Sequence, residues 1–516
     1  MQDLFDSINR FFAFIGPVSD AVWQFPTQFD FYTRIPVIGQ MSFAVLLLVG
    51  MGAWFTFRTD MVQRYCFSEA RRIIQRHHEQ SDTGISPRAA FYLGLAMRVG
   101  PGNIVGVTGA IAVGGPGALF WMWVAALFGM ATAFMESVLS QLFKEKNQQD
   151  YVGGMPFYGR HILGGSRVVG TILSLVFITY ALFNVPIQTF NVFSAIGMIS
   201  ETTSGQVAER QSLLNYCIAI FLIASCAWMI LGGIRRVTRY TNVLVPVMAT
   251  VFCVLSLLII CGNLDLVPLF FSEVFGSAFS GHAMFGGAVG AAIAEGVRRG
   301  LMSNEAGQGT ITMAAAAADN RHPCEQGFVQ GLGVFVDTLV ICTLSGFIVV
   351  IGQLWVGTDN AAWSAMSASR IGIYLASVQT LVPALLAKPV IVVLSLCYGL
   401  FAFTTLLGMI SFAEISGNFI SRSWRFILGI RILGALVFVP FGTIAMLSGL
   451  ELGNLWAISD LTNIVMVYLN IPLLMLGAPL VYRALNHYRE SGGAAFLSSR
   501  DTGIATVCWT APPIKP

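Results

Sequence analysis

The sequence predicts an all-α integral membrane protein of about 11 transmembrane helices: one extra N-terminal span, then a five-plus-five inverted repeat containing two discontinuous helices. Three observations carry that expectation. Of 516 residues, 55% are hydrophobic and only 11% charged, with mean hydropathy +0.72, whereas soluble domains run near roughly 25% charged. Eleven apolar runs are long enough to cross a bilayer. Two of them, in corresponding places of the two halves, are interrupted by residues that a helix does not choose.

The runs fall at about 38–57, 88–113, 117–143, 167–200, 212–233, 240–262, 281–317, 327–355, 388–412, 425–448 and 452–482. They divide the chain into an N-terminal interfacial segment (1–37), a first span with a basic loop (38–87), a first five-helix repeat (88–262), a second (281–485) and a tail (486–516). Leu4, Phe5, Ile8, Phe11, Phe12 and Ile15 recur at helical spacing without a basic n-region or a small-residue cleavage site, which fits an amphipathic interfacial helix better than a signal peptide. Residues 366–386 contain Arg370 and Pro383 and read as a re-entrant or surface helix. Lys and Arg test the count, because they collect in cytoplasmic loops. With the N-terminus outside and the C-terminus cytoplasmic, 20 of the 29 fall inside and 5 outside. Five spans per repeat is odd, so the two repeats enter the membrane from opposite faces.

The first interruption is Arg98-Val-Gly-Pro-Gly-Asn103. Proline lacks an N–H, and glycine weakens a helix by about 1 kcal/mol per residue, so backbone groups come loose at membrane depth. In lipid that is tolerated only where the freed groups face protein or a wet cavity. The second runs over Gly296-Val-Arg-Arg-Gly-Leu-Met-Ser-Asn-Glu-Ala-Gly-Gln-Gly309. A pair of broken segments in corresponding positions points to a transport site at the midplane, where half-helix N-termini attract a carboxylate and loose carbonyls hold a cation. Small residues also serve tight helix packing, but packing does not require Pro101, Asn103 or Ser303-Asn304-Glu305.

Polar residues inside spans are functional candidates because burying them is costly. Asn103 offers a carbonyl and an amide at the first break. Thr404 and Thr405 put adjacent hydroxyl oxygens on one span, suited to a hard cation such as sodium, or else bonded to their own helix. Gln188 is placed either to bind an amino-acid substrate or to bond between helices. Arg98, Arg298 and Arg299 have Glu136, Glu295, Glu305, Asp337, Glu414 and Asp460 as ion-pair candidates, and one carboxylate with a raised pKa is the route to proton coupling. His77 and His78 read as solvated loop residues. Nine cysteines form no C-x-x-C and read as small apolar residues. No nucleophile elbow, H-E-x-x-H or P-loop occurs, so neither an enzyme nor a nucleotide-driven pump is supported. A net charge of +3 without a long basic run gives no support for a nucleic-acid partner.

Several segments together resemble the alanine or glycine:cation symporter family. They are Val99-Gly-Pro-Gly-Asn-Ile-Val-Gly-Val107, Gly114-Gly-Pro-Gly-Ala-Leu-Phe-Trp-Met-Trp123, Gly153-Gly154, Gly232-Gly-Ile-Arg235, Leu244-Val-Pro246, Arg299-Gly-Leu-Met-Ser-Asn-Glu-Ala-Gly307, His322-Pro323, Gln326-Gly327 and Phe401-Ala-Phe-Thr404. The match runs in order over roughly 38–485. The resemblance implies a sodium-coupled amino-acid transporter fold, alternating-access uptake of a small neutral amino acid with Na+, and a bacterial inner-membrane location. It further implies a sodium site at the carbonyls near Ala96 and Val99 with Thr404 and Thr405. A substrate site is implied at Gly102, Asn103, Gly106, Gln188 and the Ser303–Asn304 turn. Coupling to protons and a passive channel are the alternatives.

The chain departs from the family pattern at four places. Pro101 stands where the family has Thr, and Met409 where it has Trp. Gln188-Thr-Phe190 replaces Gln-Ala-Asn, and Phe412-Ala-Glu414 replaces Tyr-Gly-Glu. Exchanging a rigid Trp for a flexible Met changes the volume of any pocket it lines, so Met409 joins the substrate-site candidates.

Overall fold

The computed structural model describes residues 7, 10, 13–35, 38–76, 83–206, 209–279, 288–356, 370–449, 452–503 and 505–510. Leu4, Phe5, Ile8, Phe11, Phe12, the His77–His78 pair, Gly286 and Lys515 lie outside them. α1 (Ile15–Gln24) precedes α2 (Phe43–Arg58), the first span. α2 begins where the Ser42 hydroxyl accepts the Val45 amide at 3.4 Å. It ends at Asp60 and Met61, both at positive φ, after which α3 (Gln63–Gln75) leaves at 76°. α3 buries Cys66, Ala70 and Ile73 on one face and carries Arg64, Arg71 and Arg72, as an interfacial helix does.

Two series follow. The first is a broken helix of α4 (Pro87–Arg98) and α5 (Val105–Gly114), then α6 (Gly117–Leu142), the short α7 (Met155–Ile162), α8 (Arg167–Ser204), α9 (Leu213–Leu231) and α10 (Ile234–Cys261). α11 (Val267–Phe279) joins them to the second. That series has a broken helix of α12 (Ala288–Asn304) and α13 (Thr312–Ala317), then α14, which runs from Cys324–Val334 through a π-helical stretch Phe335–Cys342 into Thr343–Val356. The short α15 (Arg370–Leu381), α16 (Ala384–Ile420), α17 (Trp424–Ile432 through Leu433–Phe438 to Val439–Ser448) and α18 (Leu452–Glu490) complete it. A broken helix, a long helix, a short helix and three long helices thus occur twice in the same order. One antiparallel hairpin, β1 (Glu145–Asn147) with β2 (Asp150–Val152), sits between α6 and α7.

Packing repeats the same symmetry. α8 and α16, 38 and 37 residues long, lie against each other at the centre. α6 packs on α12, as its counterpart α14 packs on α4; α10 packs on α16, as α18 packs on α8. Eight helices among the described residues are long and apolar enough to cross a bilayer, and α2 with the two broken helices makes up the eleven expected. α10 exposes Val243, Val247, Val251, Val254 and Leu258, an outward apolar stripe at helical spacing that fits a lipid environment.

The second interruption starts later than the glycines suggest. α12 runs unbroken through Gly296 and Gly300 to Asn304, and the helix is lost only over residues 305–311. Both glycines are helix-packing positions: a Cβ on Gly296 would come within 2.5 Å of the Ala118 carbonyl oxygen on α6. The described part of 366–386 forms only the 12-residue α15, too short to span.

His322 stands just before α14, ahead of the apolar stretch that begins at Pro323. His322 Nε2 is 3.1 Å from His487 Nδ1, and its ring packs on Phe496. Burial and the adjacent His487 hold the His322 imidazole down to about 3, so it stays neutral. His322 and His487 both pack on Phe496 of the tail.

Candidate functional site

α4 starts at Ser86, whose hydroxyl accepts the Ala89 amide at 3.1 Å, with Pro87 in the first turn. It ends at Arg98. Val99 leaves helical geometry at ψ 84, Gly100 is extended, and Pro101–Asn103 make one 3₁₀ turn. The Gly100 N–H donates to Asn103 Oδ1 at 2.8 Å. Asn103 therefore closes its own break, and its amide nitrogen must point the other way.

That amide reaches the second broken helix. Asn103 Nδ2 donates to Ser303 Oγ at 3.1 Å and to Asp337 Oδ1 at 2.6 Å. Ser303 Oγ donates to Asp337 Oδ2 at 2.7 Å, and Asn304 Nδ2 to Thr338 Oγ1 at 3.2 Å. A Cβ on Gly102 would sit 3.8 Å from the Met302 carbonyl oxygen and from Ser303 Cα, so the two breaks touch. Gly106, although buried, has no atom within 4 Å of its Cβ position, which leaves open volume one turn beyond Asn103.

Arg98 ties the breaks from the other side. Its Nε donates to the Asn304 carbonyl at 2.8 Å, and Nη1 donates to the carbonyl and side-chain oxygens of Gln330 at 3.0 and 3.1 Å. It thus caps the C-terminus of α12, where the helix dipole is negative, instead of joining an ion pair. The second gap, with Glu305, Gly307 and Gly309 at positive φ, is held by Glu136. Glu136 Oε2 accepts the Gly309 N–H at 3.1 Å and Asn470 Nδ2 at 3.0 Å, and Asn470 also donates to the Gly307 carbonyl at 3.0 Å. Sequence reading placed Glu136 only among ion-pair candidates and did not single out Asn470. A carboxylate within a span was the available signal.

The remaining ion-pair candidates sort by the fold. Arg298 pairs with Asp460, and Arg299 lies 3.3 Å from Glu295 and 3.5 Å from Asp460. Arg431 pairs with Glu414 at 2.6 Å.

On α16, Thr405 faces the first break. Its hydroxyl donates to the Ala96 carbonyl at 3.1 Å, and a Cβ on Gly100 would come within 2.9 Å of it. Ala96, Val99 and Thr405 are brought together. Thr404 is turned away: its hydroxyl bonds the Leu400 and Phe401 carbonyls at 3.1 Å and faces Met248 Sδ on α10. Gln188 belongs to a separate polar group on α8 and α16, where its Oε1 accepts Asn191 Nδ2 at 3.4 Å and Asn191 Oδ1 accepts the Tyr398 hydroxyl at 2.9 Å. Met409 is buried one residue after Gly408, the glycine that makes room for Met97 Sδ. Gly100→Ala is expected to displace the Thr405 hydroxyl and to raise the half-saturating sodium concentration several-fold, read from initial uptake rates over a sodium series.

The two helix gaps are thus held face to face, with the Thr405 hydroxyl of α16 set against the first of them. The chain is 34% identical over 445 residues to a "probable sodium/glutamine symporter GlnT" of Bacillus subtilis, covering 86% of this chain and 87% of that one. It is 32% identical over 482 residues to the "sodium/alanine symporter AgcS" of Methanococcus maripaludis, covering 90% and 99%. A crystal structure of MhsT in complex with L-phenylalanine aligns with 79% of this chain and 99% of that chain, at 12% identity and TM-score 0.47. The model of the sodium:alanine symporter family matches residues 31–497, and with relatives this similar over most of their length, the chain belongs to that family.

Proposed function

We propose that this sodium-coupled amino-acid symporter imports a small neutral amino acid, of the size of alanine or glycine, together with Na+ by alternating access in the cytoplasmic membrane of a bacterium. Its N-terminus is outside and its C-terminus inside. The observation that carries the reading is the Asn103–Ser303–Asp337 junction, which joins the two gaps. The substrate lies along Gly102, Asn103 and Gly106 opposite Ser303 and Asn304, with Met409 bounding the side-chain end and Gln188 left to its own polar group with Asn191. Sodium lies at the Ala96 and Val99 carbonyls with Thr405, while Thr404, turned toward Met248, takes no part. Because each broken helix has two halves joined by unwound backbone, an outer and an inner half-helix can tilt in turn about a fixed centre.

Uptake of labelled alanine into proteoliposomes, with and without an inward sodium gradient at fixed pH, tests this. Saturable uptake that requires the sodium gradient is expected. Equal uptake driven by a proton gradient alone supports the proton-coupled alternative, and unsaturable flux supports a channel. Met409→Trp is expected to narrow the accepted side chains, so that glutamine competes with alanine several-fold less well than in the unaltered protein. An unchanged competition profile for glycine, alanine and glutamine removes Met409 from the pocket.

A further inference from the structure

A cavity of about 530 Å³ lies away from the two gaps, between the end of α3 and the start of α4. Ile73, Ile74 and Arg76 line it on the α3 side, and Ser86, Arg88 and Tyr92 on the α4 side. Its volume falls within the roughly 300–1,000 Å³ of small-ligand pockets. Among the described residues no carboxylate lines it, whereas two guanidiniums do. Arg76 makes one bond, from Nη1 to Glu325 Oε1 at 2.7 Å, and Glu325 is itself buried behind it. Arg88 is exposed, forms no ion pair among the described residues, and lies 5.8 Å from the centre of the Tyr92 ring. The N-terminus of α4 adds the positive end of its dipole to the same wall, and the Ser86 hydroxyl there is spent on the Ala89 amide. The wall therefore suits an anion.

The class of anion follows from the rest of the lining and from where the cavity sits. Ile73, Ile74 and the Tyr92 ring give it an apolar side, which inorganic phosphate or another small soluble anion would leave unused. α3 leaves the first span at 76°, buries Cys66, Ala70 and Ile73 on one face, and exposes Arg64, Arg71 and Arg72. A helix of that pattern lies in the headgroup layer, and basic pockets at that depth hold lipid phosphates. The ligand that matches both sides is an amphiphile with a negative head.

We propose that the phosphate of an anionic phospholipid binds between Arg76 and Arg88, with its glycerol and upper acyl chain against Ile73, Ile74 and Tyr92. The inference goes beyond the amino-acid and sodium sites and depends on neither. A lipid held there bridges the interfacial helix and one half of the first broken helix.

Binding of radiolabelled phosphatidylglycerol to the purified full-length chain, in micelles of a neutral detergent, tests it. One saturable site per chain is expected, with phosphatidylcholine at least about tenfold weaker. Arg88→Gln is expected to weaken phosphatidylglycerol about fivefold, the effect of one basic residue at an anionic membrane surface. Arg71→Gln, on α3 but outside the cavity wall, is expected to leave the affinity unchanged. Both side chains are exposed, and size-exclusion chromatography checks that each variant stays monodisperse. Unchanged affinity in Arg88→Gln, or equal binding of phosphatidylcholine, overturns the site. Equal losses in Arg71→Gln and Arg88→Gln also overturn it and assign the lipid to a diffuse basic surface. Inorganic phosphate that displaces the lipid at equal concentration overturns the lipid reading and assigns the cavity to a free anion.

Discussion

Asn103→Ala is expected to reduce sodium-driven alanine uptake by about fiftyfold or more. The side chain closes the first break through Gly100 and joins it to the second through Ser303 and Asp337. Truncation leaves a buried N–H without its acceptor and a buried carboxylate without one of its donors. Hydrogen bonds to charged groups contribute about 1.5–3 kcal/mol each, and an orphaned neutral partner costs about 1–3 kcal/mol. Even the lower bounds together exceed about 2 kcal/mol, and every 1.4 kcal/mol is about tenfold. Initial uptake rates at several alanine concentrations, on protein that remains monodisperse, measure the effect. Asn103→Asp is expected to fail equally, because it sets a second carboxylate against Asp337. Near-normal rates for either variant would remove Asn103 from the junction's function.

Thr405→Val is expected to raise the half-saturating sodium concentration about tenfold, with alanine affinity at saturating sodium little changed. The exchange keeps the shape and removes only the hydroxyl that reaches Ala96. Loss of one neutral oxygen ligand is worth about 1–1.5 kcal/mol, by analogy with a hydrogen bond of that kind. Thr404→Val is the contrast, expected to change sodium dependence no more than about twofold, since its hydroxyl bonds only its own helix carbonyls and faces a methionine. Adjacent residues on a helix with about 3.6 residues per turn point roughly 100° apart, so one of the pair faces the break and the other does not. A larger effect at Thr404 than at Thr405 would place the ion on the opposite face of α16.

How far the site was legible depended on which residues signalled it. Gly100-Pro101-Gly102 within an apolar run marked the first gap to the residue, because no straight helix accommodates proline and two glycines there. Gly296 and Gly300 misled at the second gap, since a glycine that loosens backbone and a glycine that admits a neighbouring helix are the same letter. The backbone instead fails after Asn304, where Glu305 takes positive φ. Arg98, which the sequence offered with a set of acidic partners, turned out to bond carbonyls at 304 and 330, a choice set by where α12 ends. The pairing of Arg298 with Asp460 joins α12 to α18 and needed the fold to be seen.

The sequence alone determined that this chain lives in a bilayer as a bundle of many apolar helices, and that one of them is broken at Gly100–Asn103. These follow from composition, run length and the stereochemistry of glycine and proline, which act locally. Tertiary structure alone decided that the two gaps touch, that Thr405 and not Thr404 faces the first of them, and that Asn103 is committed to Asp337 more than two hundred residues away. Those choices depend on helix rotation and on which buried polar atoms find partners, and both are settled only when all the helices pack at once.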